Sequence, residues 1–483
     1  MKQFTRIKAS LLFAAVLVAG HARAQVDTVE VRIFGGQRDD RGVRMVELAG
    51  GDVVALSTTT STTDEQPQAW VHRFDSLVQP VWETTIADAP LVQPMDVVEH
   101  GAGYITVLGM RYANAADAYD WGWYTLDASG TWVSEVHWGT ASWDIPARVM
   151  QRNDTLWTVG TSYATGGGDV RCTLHTWNGA NWEFHSTWSW DGGDEEMVAD
   201  AALFGDGMGV LTTAATSESA GFALLDAHTG EANWTYTTPF DVPSEAQAIS
   251  IQGSKAIVLV NVQTAAGDRL AFTLLDAAGD VLMETIPGSG VNVVGRDVVW
   301  YSPTDFATLS MTEELGLGGE EWLYSRWSNQ GAWQGGPTFG TQWDEVPAAL
   351  LQTTDGRMWM LGATDGYSNG RDDVYLVVVP SAGIGNAGTY TVVETNIVDE
   401  AVVIDGVQPD APVQVFPNPA SHTFTLAGVE PSVRWSLVDA SGREVRAGRG
   451  ACGDVEGLGE GWYFVRLVGM DDVPMAIPLQ VIR

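Results

Sequence analysis

Short runs of alternating apolar and polar residues fill this chain. Tyr104 to Leu108, Trp121 to Leu126 and Trp132 to His137 each send successive side chains to opposite faces, the period of a β-strand. Heptad and 3.6-residue spacings are missing, which rules out helical solenoids. The runs are separated by residues that tight turns demand, as in Gly50-Gly51-Asp52, Asn153-Asp154, Gly205-Asp206-Gly207 and Thr354-Asp355-Gly356. A strand end followed by a turn recurs at Phe74-Asp75, Leu126-Asp127, Trp177-Asn178, Leu225-Asp226, Leu275-Asp276, Trp327-Ser328 and Val379-Pro380. The successive spacings are 52, 51, 48, 50, 52 and 52 residues.

A repeat of about 50 residues made of short strands predicts a β-propeller, and seven units are counted between Gln25 and Gly383. In the second unit Met95 to Val98 reads as strand one, Tyr104 to Leu108 as strand two, Trp121 to Leu126 as strand three and Trp132 to His137 as strand four. The last unit shows only three strands, ending at Leu376 to Val379. Val29 to Phe34, near the start, reads as an unmatched strand of the fourth type that would close the ring and remove its open edges. The predicted fold is therefore all-β: a seven-bladed propeller at 25–383, a linker at 384–412 and a small Ig-like β-sandwich at 413–483.

Most of the 21 tryptophans are expected to fill the wedges between blades. Leu225-Asp226-Ala227-His228-Thr229-Gly230, with Trp234 beyond, resembles the repeat of quinoprotein-like propellers, and Leu126-Asp127-Ala128-Ser129-Gly130 is a degenerate copy. In that superfamily the motif locks adjacent blades, with or without a cofactor. The vicinal cysteines common in its quinone enzymes are absent.

The tail carries a second resemblance. Val415-Phe416-Pro417-Asn418-Pro419, then Val438-Asp439-Ala440-Ser441-Gly442-Arg443, then Gly461-Trp462-Tyr463-Phe464-Val465 resemble the type A C-terminal sorting domain of proteins exported by the type IX secretion system. The resemblance spans Val413 to Arg483. It implies that Pro417, Asn418, Pro419, Gly442, Gly461 and Tyr463 belong to a sorting signal read by the type IX machinery. Ala451 to Asp454 departs from it, being short where the family has a longer strand. At the other end, Lys2, Arg6 and Lys8, the apolar run Leu11 to Ala19, and Ala22-Arg23-Ala24 form a signal peptide at 1–24. The expected location is secreted or attached to the outer-membrane surface, reached through the periplasm, with no transmembrane segment in the mature chain.

Composition narrows the functions. With 25 basic against 61 acidic residues the net charge is −36, which argues against nucleic acid and anionic membranes as partners. Two cysteines, Cys172 and Cys452, give no disulfide framework, and Cys172 reads as a buried small hydrophobe. Gly383-Ile384-Gly385-Asn386-Ala387-Gly388 has the dinucleotide-binding spacing, but β-forming residues follow where a helix should begin. The eight histidines are scattered and read as structural.

One distribution stands out. Loops leading into the first and third strands open on one face of a propeller, and here they hold many of the acids. Trp143-Asp144, Trp190-Asp191 with Asp194, and Trp343-Asp344 set indoles beside them. These seven residues are the candidate ligand-binding set, suited to a glycan stacked on indole, a basic protein patch or calcium. No other cofactor is called for, and no catalytic residue is assigned. The expected function is non-enzymatic binding of an extracellular glycan or protein on a propeller platform. The alternative is a polysaccharide hydrolase or lyase, which channel-facing arginine or histidine beside paired acids would favour. The inner strands read as mainly apolar or small.

Overall fold

The computed structural model describes residues 29–381 apart from 63–64, 102, 113–117, 289, 317, 342 and 367–370. In the tail it describes 398–401, 414–416, 420–427, 434–439, 443–455, 457–459, 461–468 and 476–481. The signal segment, Pro417, Asn418, Pro419 and Gly442 lie outside the described residues. Two compact units divide the chain, Met1–Val402 and Val403–Arg483. Every described regular element is a strand.

In the first unit, Asp144–Arg152, Thr155–Ser162, Asp169–Trp177 and Trp182–Trp190 pair in sequence order, all antiparallel. The same order recurs in residues 40–86, 91–138, 196–237, 244–285 and 294–339, the last with its fourth strand split into Trp333–Gly335 and Thr338–Phe339. A further sheet takes Glu345–Gln352, Met358–Thr364 and Asp373–Val379. Glu30–Gly35 completes it, with Glu30 opposite Val378 and Phe34 opposite Val374. Numbered one to seven from Asp40, the sheets touch in cyclic order through their first strands, sheet one meeting both sheet two and sheet seven. This is a β-propeller. Val398–Ala401, in the stretch read as linker, pairs parallel with Glu30–Gly35. Its Val-Asp-Glu-Ala sequence carries no strand signal, so it was not expected.

Burial is deepest in the second and third strands, and the first strands are largely half-buried. The second strand Val53–Thr59 is buried at all but one position, because both its faces meet neighbouring sheets. The fourth strand Trp132–Trp138 is exposed or half-buried throughout. Between sheets one and two, Leu48, Val54, Leu56, Val71, Val97, Val107 and Tyr124 form one apolar cluster, and similar clusters fill other boundaries. Tryptophan of one sheet also clasps the turn of the next. Trp188 Nε1 donates to Ala227 O at 3.2 Å, and its ring covers Gly230, where an added Cβ would stand 2.5 Å from Trp188 at a φ of +75°. Trp82 meets Ala128 and Gly130 in the same way, and Trp234 meets Ala277 and Gly279. The Leu-Asp-Ala motif is thus the receptor for an indole, and only glycine leaves it room.

All seven first strands carry a β-bulge at the same place, between Gly42 and Arg44, Pro94 and Asp96, Pro146 and Arg148, Val198 and Asp200, Ala246 and Ala248, Gly295 and Asp297, and Pro347 and Ala349. A bulge tolerates proline inside a strand and re-aims the next side chain. This is why the sequence reading started strand one too late: Pro94 sits inside Leu91–His100 rather than before it.

The second unit has two sheets, one of Gln414–Phe416, Thr423–Ala427 and Cys452–Asp454, the other of Arg434–Asp439, Glu444–Arg449, Gly461–Val468 and Ala476–Val481. Phe424, Leu426, Trp435, Leu437, Val465 and Leu479 share one core between them. Gly461 opens the strand Gly461–Val468, where Tyr463 pairs with Leu479 and its hydroxyl donates to Gly459 O at 3.0 Å.

Candidate functional site

The bulges gather charge. Arg44, Asp96, Arg148, Asp200 and Asp297 all follow one, on sheets one, two, three, four and six. Arg148 lies 3.3 Å from Asp96 Oδ1 and 2.7 Å from Asp200 Oδ1, and Arg44 reaches Asp297 Oδ2 at 3.3 Å across sheet seven. Each aspartate also accepts a backbone N–H from a later sheet: Val149 to Asp96 at 2.9 Å, Ile249 to Asp200 at 2.8 Å and Leu350 to Asp297 at 2.8 Å. Burial opposes the Arg148 charge, yet Asp200, Asp96 and Asp297 outweigh it and leave the guanidinium more firmly protonated than usual. Burial lifts the Asp297 carboxyl above its ordinary value, with Arg44 pulling the other way. The inner strands are therefore not simply apolar or small. The missed signal was spacing: residues 44, 96, 148 and 200 stand 52 apart and alternate Arg and Asp. These acids are saturated by the ring itself, and they act as inter-sheet ties.

A second set of carboxylates opens the first strands. Asp40, Asp144, Glu196 and Glu345 begin sheets one, three, four and seven, at 0 %, 0 %, 4 % and 0 % exposure. Asp144 accepts from Thr140 N at 2.6 Å and from the Ser162 hydroxyl at 2.5 Å. Asp40 accepts from Gly36 N at 2.5 Å and the Ser61 hydroxyl at 2.9 Å, while Glu345 accepts from Thr341 N at 2.9 Å and the Thr364 hydroxyl at 2.9 Å. Each carboxylate pins the loop that enters its sheet. Burial, with Glu321 nearby, pushes the Glu345 carboxyl up to about 7.

First and third strands of a sheet run the same way, so the loops entering them share one edge. All seven predicted ligand-binding residues lie at that edge, in loops, at a strand start (Asp144) or, for Trp190, at the end of a fourth strand. Trp143 is 57 % exposed and Trp343 52 %. Trp143 stands edge-on to Tyr119, with centroids 5.6 Å apart, and Tyr119 meets Tyr112 at 5.3 Å. Trp190 is half-buried and lines a cavity of about 360 Å³ with Asp194, Glu196, Thr212, Phe222 and Tyr236. Asp144 does not face solvent at all, being the buried pin just described. Asp191 is exposed and accepts from Gly193 N at 2.7 Å, and Asp194 accepts from Glu195 N at 2.7 Å. Asp344 accepts from Glu320 N at 3.0 Å. Trp143 and Trp190 occupy adjacent boundaries, two–three and three–four, whereas Trp343 stands at boundary six–seven. In ring order the first two are neighbours and the third is not. Between sheets five and six, Leu270, Val293, Leu323, Trp327 and Trp333 line an apolar cavity of about 430 Å³.

At this edge His137 lies 3.2 Å from Asp88 Oδ2, in the loop entering sheet two, whereas three other histidines and Cys172 lie in the interior. His72, His100 and His175 are buried among aromatic rings, and burial lowers their pKa values to about 3, about 4 and about 4. Cys172 is fully buried, which raises its thiol well above the usual range. Among the described residues no helix is long and apolar enough to cross a membrane.

No protein-family model matches the chain, and no curated protein does. Among solved structures, the Dos1 propeller is similar over 75 % of this chain and 99 % of its own, at 7 % identity and a TM-score of 0.46. The β-propeller domain of the Trilobed protease from Pyrococcus furiosus is similar over 70 % and 93 %, at 9 % identity and 0.43. The NanB sialidase of Streptococcus pneumoniae is similar over 74 % and 70 %, at 10 % identity and 0.39. At such identities the likeness concerns fold and not activity.

Proposed function

We propose that the chain is an exported, non-enzymatic binding protein whose seven sheets are the blades of a recognition platform. The observation that carries this reading is the exposure of Trp143 and Trp343 on inter-blade loops of one edge, in a molecule that fully buries Trp70, Trp121, Trp123, Trp322 and Trp359. An indole left in water on a pinned loop is area held ready for a partner, and a flat ring suits the apolar face of a sugar or a protein side chain. The tail, residues 413–483, serves as a type IX sorting domain with its own core, and the segment 1–24 directs the first export step. The partner is an extracellular glycan or protein.

A glycan array and a pull-down with the purified protein test the binding claim. Trp143→Ala and Trp343→Ala should each weaken capture without lowering the melting temperature. Unchanged capture in both would refute it, and depolymerisation of a polysaccharide would establish a hydrolase or lyase instead. Export is tested separately by deleting 413–483. The truncated chain should fold yet stay in the periplasm, and arrival at the surface at normal yield would refute the sorting role.

A further inference from the structure

Four first strands open on a carboxylate, and the one at the seam between sheets three and four differs from the other three. Opposite Asp40, Asp144 and Glu345, the second strand ends in Thr59, Ser162 and Thr364, a hydroxyl in each case. Opposite Glu196 stands Ala214. Glu196 Oε1 accepts from Asp194 N at 3.0 Å, but Oε2 is buried and has no hydrogen-bond donor among the described residues. A buried, unpartnered carboxylate oxygen is costly, and something must satisfy it.

What the seam offers in place of the hydroxyl is more acid. Asp169, the first residue of the third strand of sheet three, and Asp191, in the loop after Trp190, bring carboxylate oxygens within 4.8 Å of each other and of Glu196. Asp169 also accepts from the Thr165 hydroxyl. No arginine, lysine or histidine of the described residues pairs with any of the three. The other gathering of this kind, Asp88, Glu135 and His137, already has Arg111 at 2.7 Å from Asp88. Gly192 lies against the site, and a Cβ there would stand 2.5 Å from Glu196 Oε1. Burial raises the Glu196 carboxyl above its ordinary value, and Asp191 and Asp169 add to the effect. Like charges held so close ask for a cation between them.

We propose that Asp169, Asp191 and Glu196 bind a calcium ion that ties sheet three to sheet four. Three carboxylates and no nitrogen or sulfur ligand make an all-oxygen set, which suits a hard cation and not zinc. One ligand is buried, one half-buried and one exposed, so the ion would enter from solvent and keep water on its open side. Asp191 belongs to the loop that carries Trp190 into the 360 Å³ cavity, so filling the site fixes that wall. The proposal stands on this seam alone and holds whether or not the platform binds a glycan.

Calorimetric titration of the chelator-treated full-length protein with CaCl₂, and separately with MgCl₂ and ZnCl₂, tests it. We expect one equivalent of calcium to bind at this seam. Asp191→Asn, an exposed change that leaves the fold intact, should weaken binding on the order of tenfold or more, and Glu196→Gln should abolish it. Absence of calcium binding in the parent would overturn the proposal. Binding unchanged in Asp191→Asn, or tighter for zinc than for calcium, would overturn it as well.

Discussion

Mild acid should weaken this protein through its buried histidines, and His175 is the cleanest case. It is 1 % exposed, its ring lies 4.5 Å from Trp123 and 5.8 Å from Phe184, and neither nitrogen has a partner among the described residues. Burial lowers its pKa from 6.5 to about 4. The folded value lies below the unfolded one, so the unfolded chain takes the proton first. Stability is intact above pH ~6.5 and is lost as the pH falls through 6.5 toward 4. Between pH 7.5 and 5 this one residue accounts for a loss of about 2 kcal/mol. His72 and His100 behave alike, giving about 6 kcal/mol in all, a sizeable part of a typical folding free energy.

Glu345 works in the opposite direction. Its folded value of about 7 exceeds its unfolded 4.5, so the folded state gains stability as the pH falls from about 7 to 4.5, by about 2.5 kcal/mol at pH 5. A single pH profile would blend the two signs, and a difference between proteins separates them. Urea melts of the parent and of His175→Phe, at pH 7.5 and pH 5, share the Glu345 contribution. The parent should lose about 2 kcal/mol more than the variant over that interval. Equal losses would refute the reasoning, whatever the absolute stability of the variant.

Three more outcomes follow from the ties between sheets. Gly230→Ala drives a methyl into the Trp188 ring at a positive φ and should cost about 2 kcal/mol in denaturant melts, while Gly253→Ala, with open space around it, should cost about 1 kcal/mol for its φ alone. Arg148→Met leaves Asp96 and Asp200 without their shared cation and should cost about 3 kcal/mol at neutral pH, with the deficit shrinking in acid as the carboxylates protonate. Ala214→Ser supplies the hydroxyl that sibling seams have; it should stabilise the calcium-free protein by about 1 kcal/mol and reduce the gain in melting temperature on adding calcium.

What the sequence revealed, and what it hid, divides along the period of the repeat. Alternation and turn residues depend on neighbours one to four positions apart, so strands such as Asp120–Leu126 and Trp132–Trp138 could be placed from the chain alone. The lone strand near the start pairs with Asp373–Val379 because a three-stranded last unit leaves an edge that only it can cover. Side chains that act across sheets obey a rule 52 residues long, and local pattern is blind to it. Asp144 looked like an exposed acid beside an indole. It is a pin, because Thr140 and Ser162 reach it from the loop and the strand opposite. Asp191 is an exposed loop residue, and the counterpart of Asp144 in its seam is Glu196, which faces Ala214 instead of a hydroxyl. Aligning the four sheets whose first strands open on a carboxylate sets Thr59, Ser162, Ala214 and Thr364 in one column, with alanine as the exception among those four. Of the four carboxylates that open first strands, Glu196 is the one that faces no hydroxyl on its paired strand and has two further carboxylates beside it, and that is where a ligand is best sought.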